Sequence, residues 1–144
     1  MDSRDFHPAL DGRVATFCAK RGIRNWVVVS TLSQLEKEPQ TGRELIFFPF
    51  FLHRLGERAG DVLRSSLLKT PRLAIVDYRQ PERNLDYPAC LAFCLLELAG
   101  SHFEAYRSFM RYGGLERVLS QCGLVPEIRE PLCGGAASFV CVIR

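Results

Sequence analysis

No stretch of this chain approaches the roughly eighteen consecutive apolar residues that a membrane-spanning helix needs. The residues Met1 to Pro8 also lack the charged-then-apolar pattern of a secretory leader. A cytoplasmic protein without a membrane partner is the expectation. Blocks of five or more like charges are missing as well, and the net charge of +3 is spread along the chain. That leaves little electrostatic basis for nucleic-acid binding. Internal repeats and low-complexity segments are absent. No Ser-His-Asp, phosphate-loop or paired-carboxylate arrangement stands out.

A disulfide framework is not indicated either. The six cysteines, Cys18, Cys90, Cys94, Cys122, Cys133 and Cys141, lie mostly inside apolar runs, where free thiols act as small hydrophobes. They are expected to be reduced core residues. Cys90 and Cys94 stand one helical turn apart, but no second Cys or His pair has the matching spacing, so no metal site is expected. What is present is ordinary globular material: 144 residues, 47% hydrophobic and 24% charged. One domain covering 1–144, able to bury about two thirds of its unfolded surface, is the expectation.

Along the chain, Asp11 to Arg21 fits either a helix or a short strand. Trp26 to Val29 is a β-branched run bounded by polar residues and reads as a strand over Asn25 to Ser30. Ser33 and Glu36 have the spacing of a helix-start capping box, with Pro39 and Gly42 allowing only a short helix after it. Glu44 to Leu52 is the most apolar window and reads as a strand that stops at Pro49. Gly56 to Lys69 follows as an amphipathic helix with Ala59, Val62, Leu63, Leu67 and Leu68 on its inner face.

Leu73 to Val76 is apolar without alternation, as in a strand buried on both faces of a parallel sheet. The strand-helix-strand order requires that it lie parallel to the preceding strand. Tyr87 to Ala99 is apolar all round and must be a buried helix or a helix facing a partner. Helices over Ser101 to Tyr112 and Leu115 to Gln121, and two strands over Val125 to Leu132 and Ala136 to Ile143 joined at Cys133, Gly134 and Gly135, complete the order.

In an open α/β sheet, ligands bind outside the carboxyl ends of the strands, which marks Asp77, Tyr78 and Arg79. Asp77 can orient a substrate or pair locally with Arg79. His53 can position a group or take a proton near neutral pH, or serve as a helix-entry histidine bonded to backbone. Tyr78 and Tyr87 can wall a cleft or cover the core. Arg83, Asn84 and Asp86 can cap the helix that begins near Pro88.

With these elements in order, Glu44 to Arg144 resembles the C-terminal half of a class I S-adenosylmethionine-dependent methyltransferase. Leu45 to Leu55 resembles the family's fourth strand with its leucine-histidine-x-leucine segment. Leu67 to Asp77 resembles the passage through a proline into the fifth strand and its terminal aspartate. Phe109 to Glu116, with Gly123 and Leu124, resembles the late helix and glycine turn before the terminal hairpin.

The resemblance implies a reduced Rossmann-like sheet with parallel strands and a C-terminal antiparallel hairpin, 1–43 forming a degenerate N-terminal part and 44–144 the C-terminal half. It implies S-adenosylmethionine as cofactor, with Gly22, Pro49 and Phe50 on the cofactor side and His53, Asp77, Tyr78, Arg79 and Tyr87 on the substrate side. The sequence departs from the family in the glycine-rich loop, where only Gly22 stands with Lys20 and Arg21 beside it. It departs again at Ser30 and Thr31, where the family places a ribose-binding acid. A methyltransferase reduced in its cofactor half is one expectation. A non-catalytic interaction module, self-associating as a homodimer or completing a partner subunit, is the other.

Overall fold

A computed structural model describes residues 7–40 and 42–144. Six α-helices and five strands follow one another as α1 (His7–Lys20), β1 (Trp26–Val28), α2 (Leu32–Lys37), β2 (Leu45–Pro49), α3 (Ala59–Lys69), β3 (Arg72–Tyr78), α4 (Tyr87–Leu98), α5 (Phe103–Arg111), α6 (Gly114–Gln121), β4 (Pro126–Leu132) and β5 (Ala137–Ile143). The strands form one sheet in the order β1-β2-β3-β5-β4. β1, β2 and β3 are parallel, while β5 runs antiparallel to β3 and β4 antiparallel to β5. The mixed sheet with its terminal antiparallel hairpin is the arrangement expected from the sequence.

Successive residues of a strand point to opposite faces, and the apolar runs of β2 and β3 serve two cores at once. Ile46, Phe48, Leu73 and Ile75 meet Leu63 and Leu67 of α3, Phe109 of α5 and Leu115 and Leu119 of α6 on one side. Leu45, Phe47, Ala74 and Val76 meet Val14 and Cys18 of α1 on the other. The ambiguous segment before Arg21 is therefore a helix, because the second face of the sheet needs a cover.

Several boundaries differ from the sequence reading for identifiable reasons. β1 spans only three residues, although the Val29 N–H continues the ladder to the Phe47 carbonyl at 2.8 Å. The following helix then starts early. Its capping box is Thr31 with Gln34, not Ser33 with Glu36: the Thr31 hydroxyl accepts from the Gln34 N–H at 3.2 Å and the Gln34 side chain accepts from Thr31 in return. The helix expected from Gly56 begins instead at Ala59, after a 3-10 helix over Leu52–Arg58 that is broken at Gly56. Ser66, not Leu68, completes the inner face of α3, and Leu68 is 71% exposed.

Among the described residues all six cysteines are free, but only Cys18 and Cys141 are buried; the other four are half-buried. Cys90 and Cys94 face inward from α4 at the rim of the core rather than within it. No helix among the described residues is long and apolar enough to cross a membrane.

Candidate functional site at the carboxyl edge of the sheet

Because β1, β2 and β3 are parallel, their carboxyl ends share one edge, and the chain leaves β2 there at Phe50 and β3 at Arg79. Phe50 takes φ 47, the left-handed region that a bulky side chain adopts only under constraint. The constraint is visible. The Phe50 N–H donates to the Val76 carbonyl at 2.7 Å, and its ring packs 5.2 Å from that of Tyr78. This tight turn carries the chain back over the edge and delivers His53.

His53 is 1% exposed and Asp77 is fully buried. The His53 Nδ1 stands 2.9 Å from Asp77 Oδ1, and the His53 backbone N–H donates to Oδ2 at 3.1 Å. The Tyr78 N–H donates to Oδ1 at 2.9 Å. On its other side the imidazole Nε2 lies 3.5 Å from Glu97 Oε1, an ion-pair separation longer than a good hydrogen bond. Glu97 also accepts from the Tyr78 hydroxyl at 2.8 Å.

Burial by itself pushes the His53 pKa down. The charge and hydrogen bond of Asp77, and then the pairing with Glu97, more than offset it and hold the group at about 9. His53 is therefore an imidazolium at neutral pH. For Glu97, burial raises the pKa, and the contacts from His53 and Tyr78 override it to leave a net lowering. Burial, followed by the Glu97 contact, raises the Tyr78 phenol. The imidazole thus lies between Asp77, which is fully buried, and Glu97 of α4, whose side chain is 19% exposed.

The sequence marks His53, Asp77 and Tyr78, and the structure brings all three together. Glu97 is not among those candidates. The available signal is that Glu97 is the only charged residue in the apolar window Tyr87 to Ala99. A lone carboxylate in such a helix must find a partner on the inner side. Replacing Glu97 with Gln is expected to lower stability by about 2 kcal/mol, the usual worth of a hydrogen bond to a charged group, read as a shift in denaturant midpoint.

Asp77 does not pair with Arg79, because His53 and the Tyr78 N–H already occupy both of its oxygens. Arg79, 4% exposed, lies one residue past the end of β3 and turns instead to the hairpin and the following loop. Its Nε donates to the Gly135 carbonyl at 2.8 Å and its guanidinium reaches Asp86 at 3.3 Å. Asp86 stands at the N-cap position of α4, but its side chain makes no cap hydrogen bond there. It reaches back to accept from the N–H groups of Glu82 and Arg83, each at 3.0 Å. The bond from the Arg83 N–H, followed by those from the Glu82 N–H and the Arg83 side chain, holds its carboxyl below the usual range against the opposing effect of burial. Glu82 in turn pairs with Arg129, which lies 2.8 Å from Glu116.

The remaining candidates are scattered. Tyr87 is 59% exposed while Tyr78 is 5% exposed, so the two do not face each other across a cleft. Gly22 precedes β1, at the amino ends of the parallel strands and on the opposite edge from Pro49 and Phe50. The turn that does follow β1 on the carboxyl edge contains Val29, Ser30 and Thr31 and no glycine. Its Ser30 and Thr31 N–H groups are already taken by the Gln34 side chain at 2.7 and 3.2 Å.

No family model matches this chain, and no curated protein matches it. Solved structures do. The mitomycin 7-O-methyltransferase MmcR is similar over 74% of this chain and 31% of its own, at 21% identity and a TM-score of 0.50. OxaC is similar over 73% of this chain and 26% of its own, at 17% identity and a TM-score of 0.47. A SAM-dependent methyltransferase from Aquifex aeolicus is similar over 82% of this chain and 67% of its own, at 16% identity and a TM-score of 0.42. The chain spans about a third of the length of MmcR. On the likeness to MmcR, together with the order and direction of the five strands, the chain has a class I methyltransferase-like α/β fold.

Proposed function

We propose that residues 1–144 form the carboxyl half of an S-adenosylmethionine-dependent methyltransferase-type site, one that is completed by a glycine-bearing loop from outside this sequence. The observation that carries this reading is the Phe50 turn. A bulky residue held at positive φ, where the second of three parallel strands ends, stands where open α/β sheets take their ligands. The cofactor would bring its own activated methyl group on a sulfonium, so the protein's part is alignment and exclusion of water.

The residues present do not fit the whole cofactor. At the β1 carboxyl end a backbone approach needs glycine and free N–H groups. Ser30 and Thr31 supply neither, because Gln34 occupies their donors. Among the described residues β1 has one neighbour, β2, and its other edge is where a completing strand would add. We assign Pro49 and Phe50 to the cofactor side of the completed site. His53, Asp77, Tyr78 and Arg79 become positioning residues, since each is buried among protein partners. Tyr87 is exposed on the outer side of α4 and takes no part in that site.

Isothermal titration calorimetry of the chain with S-adenosylhomocysteine tests this without knowledge of the methyl acceptor. No saturable heat and no thermal shift at millimolar ligand is the expected result. A one-to-one isotherm at micromolar strength would show that residues 1–144 already hold a complete cofactor pocket, and would overturn the assignment.

A further inference from the structure

α4 has its polarity inverted. Its inner face, Cys90, Phe93, Cys94 and Glu97, follows the i, i+3, i+4, i+7 spacing of one helix side. Phe93 and Cys94 pack on the core, and Glu97 binds His53 and Tyr78. Its outer face carries Tyr87 at 59%, Leu91 at 61%, Leu95 at 57% and Leu98 at 56% exposure, with Leu85 at 82% just before the helix. The one charged group of the helix thus lies inside while its leucines stand in water. No residue of α4 is fully buried; its inner side is held by the packing of Phe93 and Cys94 and by Glu97, which accepts from the Tyr78 hydroxyl and lies at ion-pair distance from His53.

We infer that this stripe is the contact face of a homodimer, two α4 helices packing antiparallel about a two-fold axis near Leu91 and Leu95. Three observations select a second copy as the occupant. The stripe gathers five large apolar side chains, Leu85, Tyr87, Leu91, Leu95 and Leu98, each more than half exposed, a contiguous apolar patch of the kind that monomers seldom leave open and that forms the centre of a standard interface. It reads as large apolar side chains at both ends and the middle, so reversing its direction sets Tyr87 against the partner's Leu98 and leucine against leucine, the self-complementarity an isologous contact needs. It also carries no charge, so two copies meet without like-charge repulsion. A helix that lies on a lipid surface carries Lys or Arg along its polar face, and α4 has none. The inference concerns the outer face alone and stands whether or not the carboxyl edge binds cofactor.

Sedimentation velocity across micromolar concentrations tests it, with the wild-type chain beside the double variant Leu91→Glu, Leu95→Glu. Both positions are exposed, so the substitutions leave the fold intact. The wild type is expected at twice the 16.3 kDa chain mass and the variant at the single mass, with unchanged circular dichroism. Should the double variant fail to fold, Leu95→Lys is read in its place with the same two outcomes. A wild-type chain that stays monomeric, or a folded variant that still pairs, overturns the inference. So does a monomer that sediments with neutral phosphatidylcholine vesicles, because the stripe then meets lipid.

Discussion

Replacing His53 with Ala is expected to cost about 3 to 5 kcal/mol of folding stability, the range for removing one partner from a buried ion pair. Asp77 would keep its backbone donors from Tyr78 and residue 53 but lose the cation that faces it in a site with no access to water. Glu97 would lose its ion-pair partner as well. The ring itself contributes packing, since its centroid lies 4.8 Å from that of Tyr78 and 6.3 Å from that of Tyr106. Urea or guanidinium unfolding at pH 6 reads the loss. A change below about 1 kcal/mol, within the range of exposed substitutions and simple surface pairs, would show that the imidazolium is not buried between the carboxylates.

The same group gives the chain a pH signature with a defined sign. The pKa of His53 is about 9 folded against 6.5 for a free side chain, so the native state binds the proton more tightly. The stabilisation is complete below about pH 6.5, declines as pH rises, and is lost above about 9. A displacement of that size corresponds to about 3 kcal/mol. Wild-type stability should therefore fall between pH 6.5 and 9, while the His53→Ala chain stays comparatively flat over the same window. Parallel profiles for the two would refute the linkage.

Gly135→Ala is expected to be nearly as damaging, for a steric reason. Gly135 sits at φ +93, and an added Cβ would drive directly into the carboxylate of Asp86, a fully buried group. Asp86 cannot retreat, because four donors hold it: the N–H groups of Glu82 and Arg83, and the Arg79 and Arg83 guanidinium groups. Displacing it opens the buried contact with Arg79, and the left-handed backbone adds its own cost. A loss of about 3 kcal/mol or more follows. Gly123→Ala separates the two effects. Gly123 has a similar left-handed φ of +68 with open space around it, so only the conformational cost of about 1 kcal/mol is expected there. Equal losses at the two positions would mean that the Asp86 cluster yields easily and does not fasten the hairpin to β3.

The amino-acid sequence by itself determined the α/β class, the identity and order of most elements, and the apolar excess of the segment after Tyr87. Those features are written in short-range patterns. The unbroken apolar runs of β2 and β3 require cover on two faces, and the helical spacing of apolar residues in α3, α5 and α6 supplies it on one of them. The carboxyl edge was legible too, since a buried strand that stops at Asp77 and Tyr78 announces where its polar groups emerge.

Tertiary structure alone decided which partners those groups took. His53, Asp77 and Glu97 are separated by 24 and 20 positions, and only the turn at Phe50 and the placement of α4 bring them into one ionic sequence. Arg79 and Asp77, near neighbours along the chain, stay unpaired because that turn fills both oxygens of Asp77 from the far side, so Arg79 finds Asp86. Strand direction also places Gly22 at the amino ends of the parallel strands, on the opposite edge from Pro49 and Phe50. The outward turn of the α4 leucines has the same origin: hydrophobicity fixes how much apolar surface the helix carries, whereas the long-range packing of Phe93 and Cys94 and the pairing of the half-buried Glu97 decide which side of it faces water.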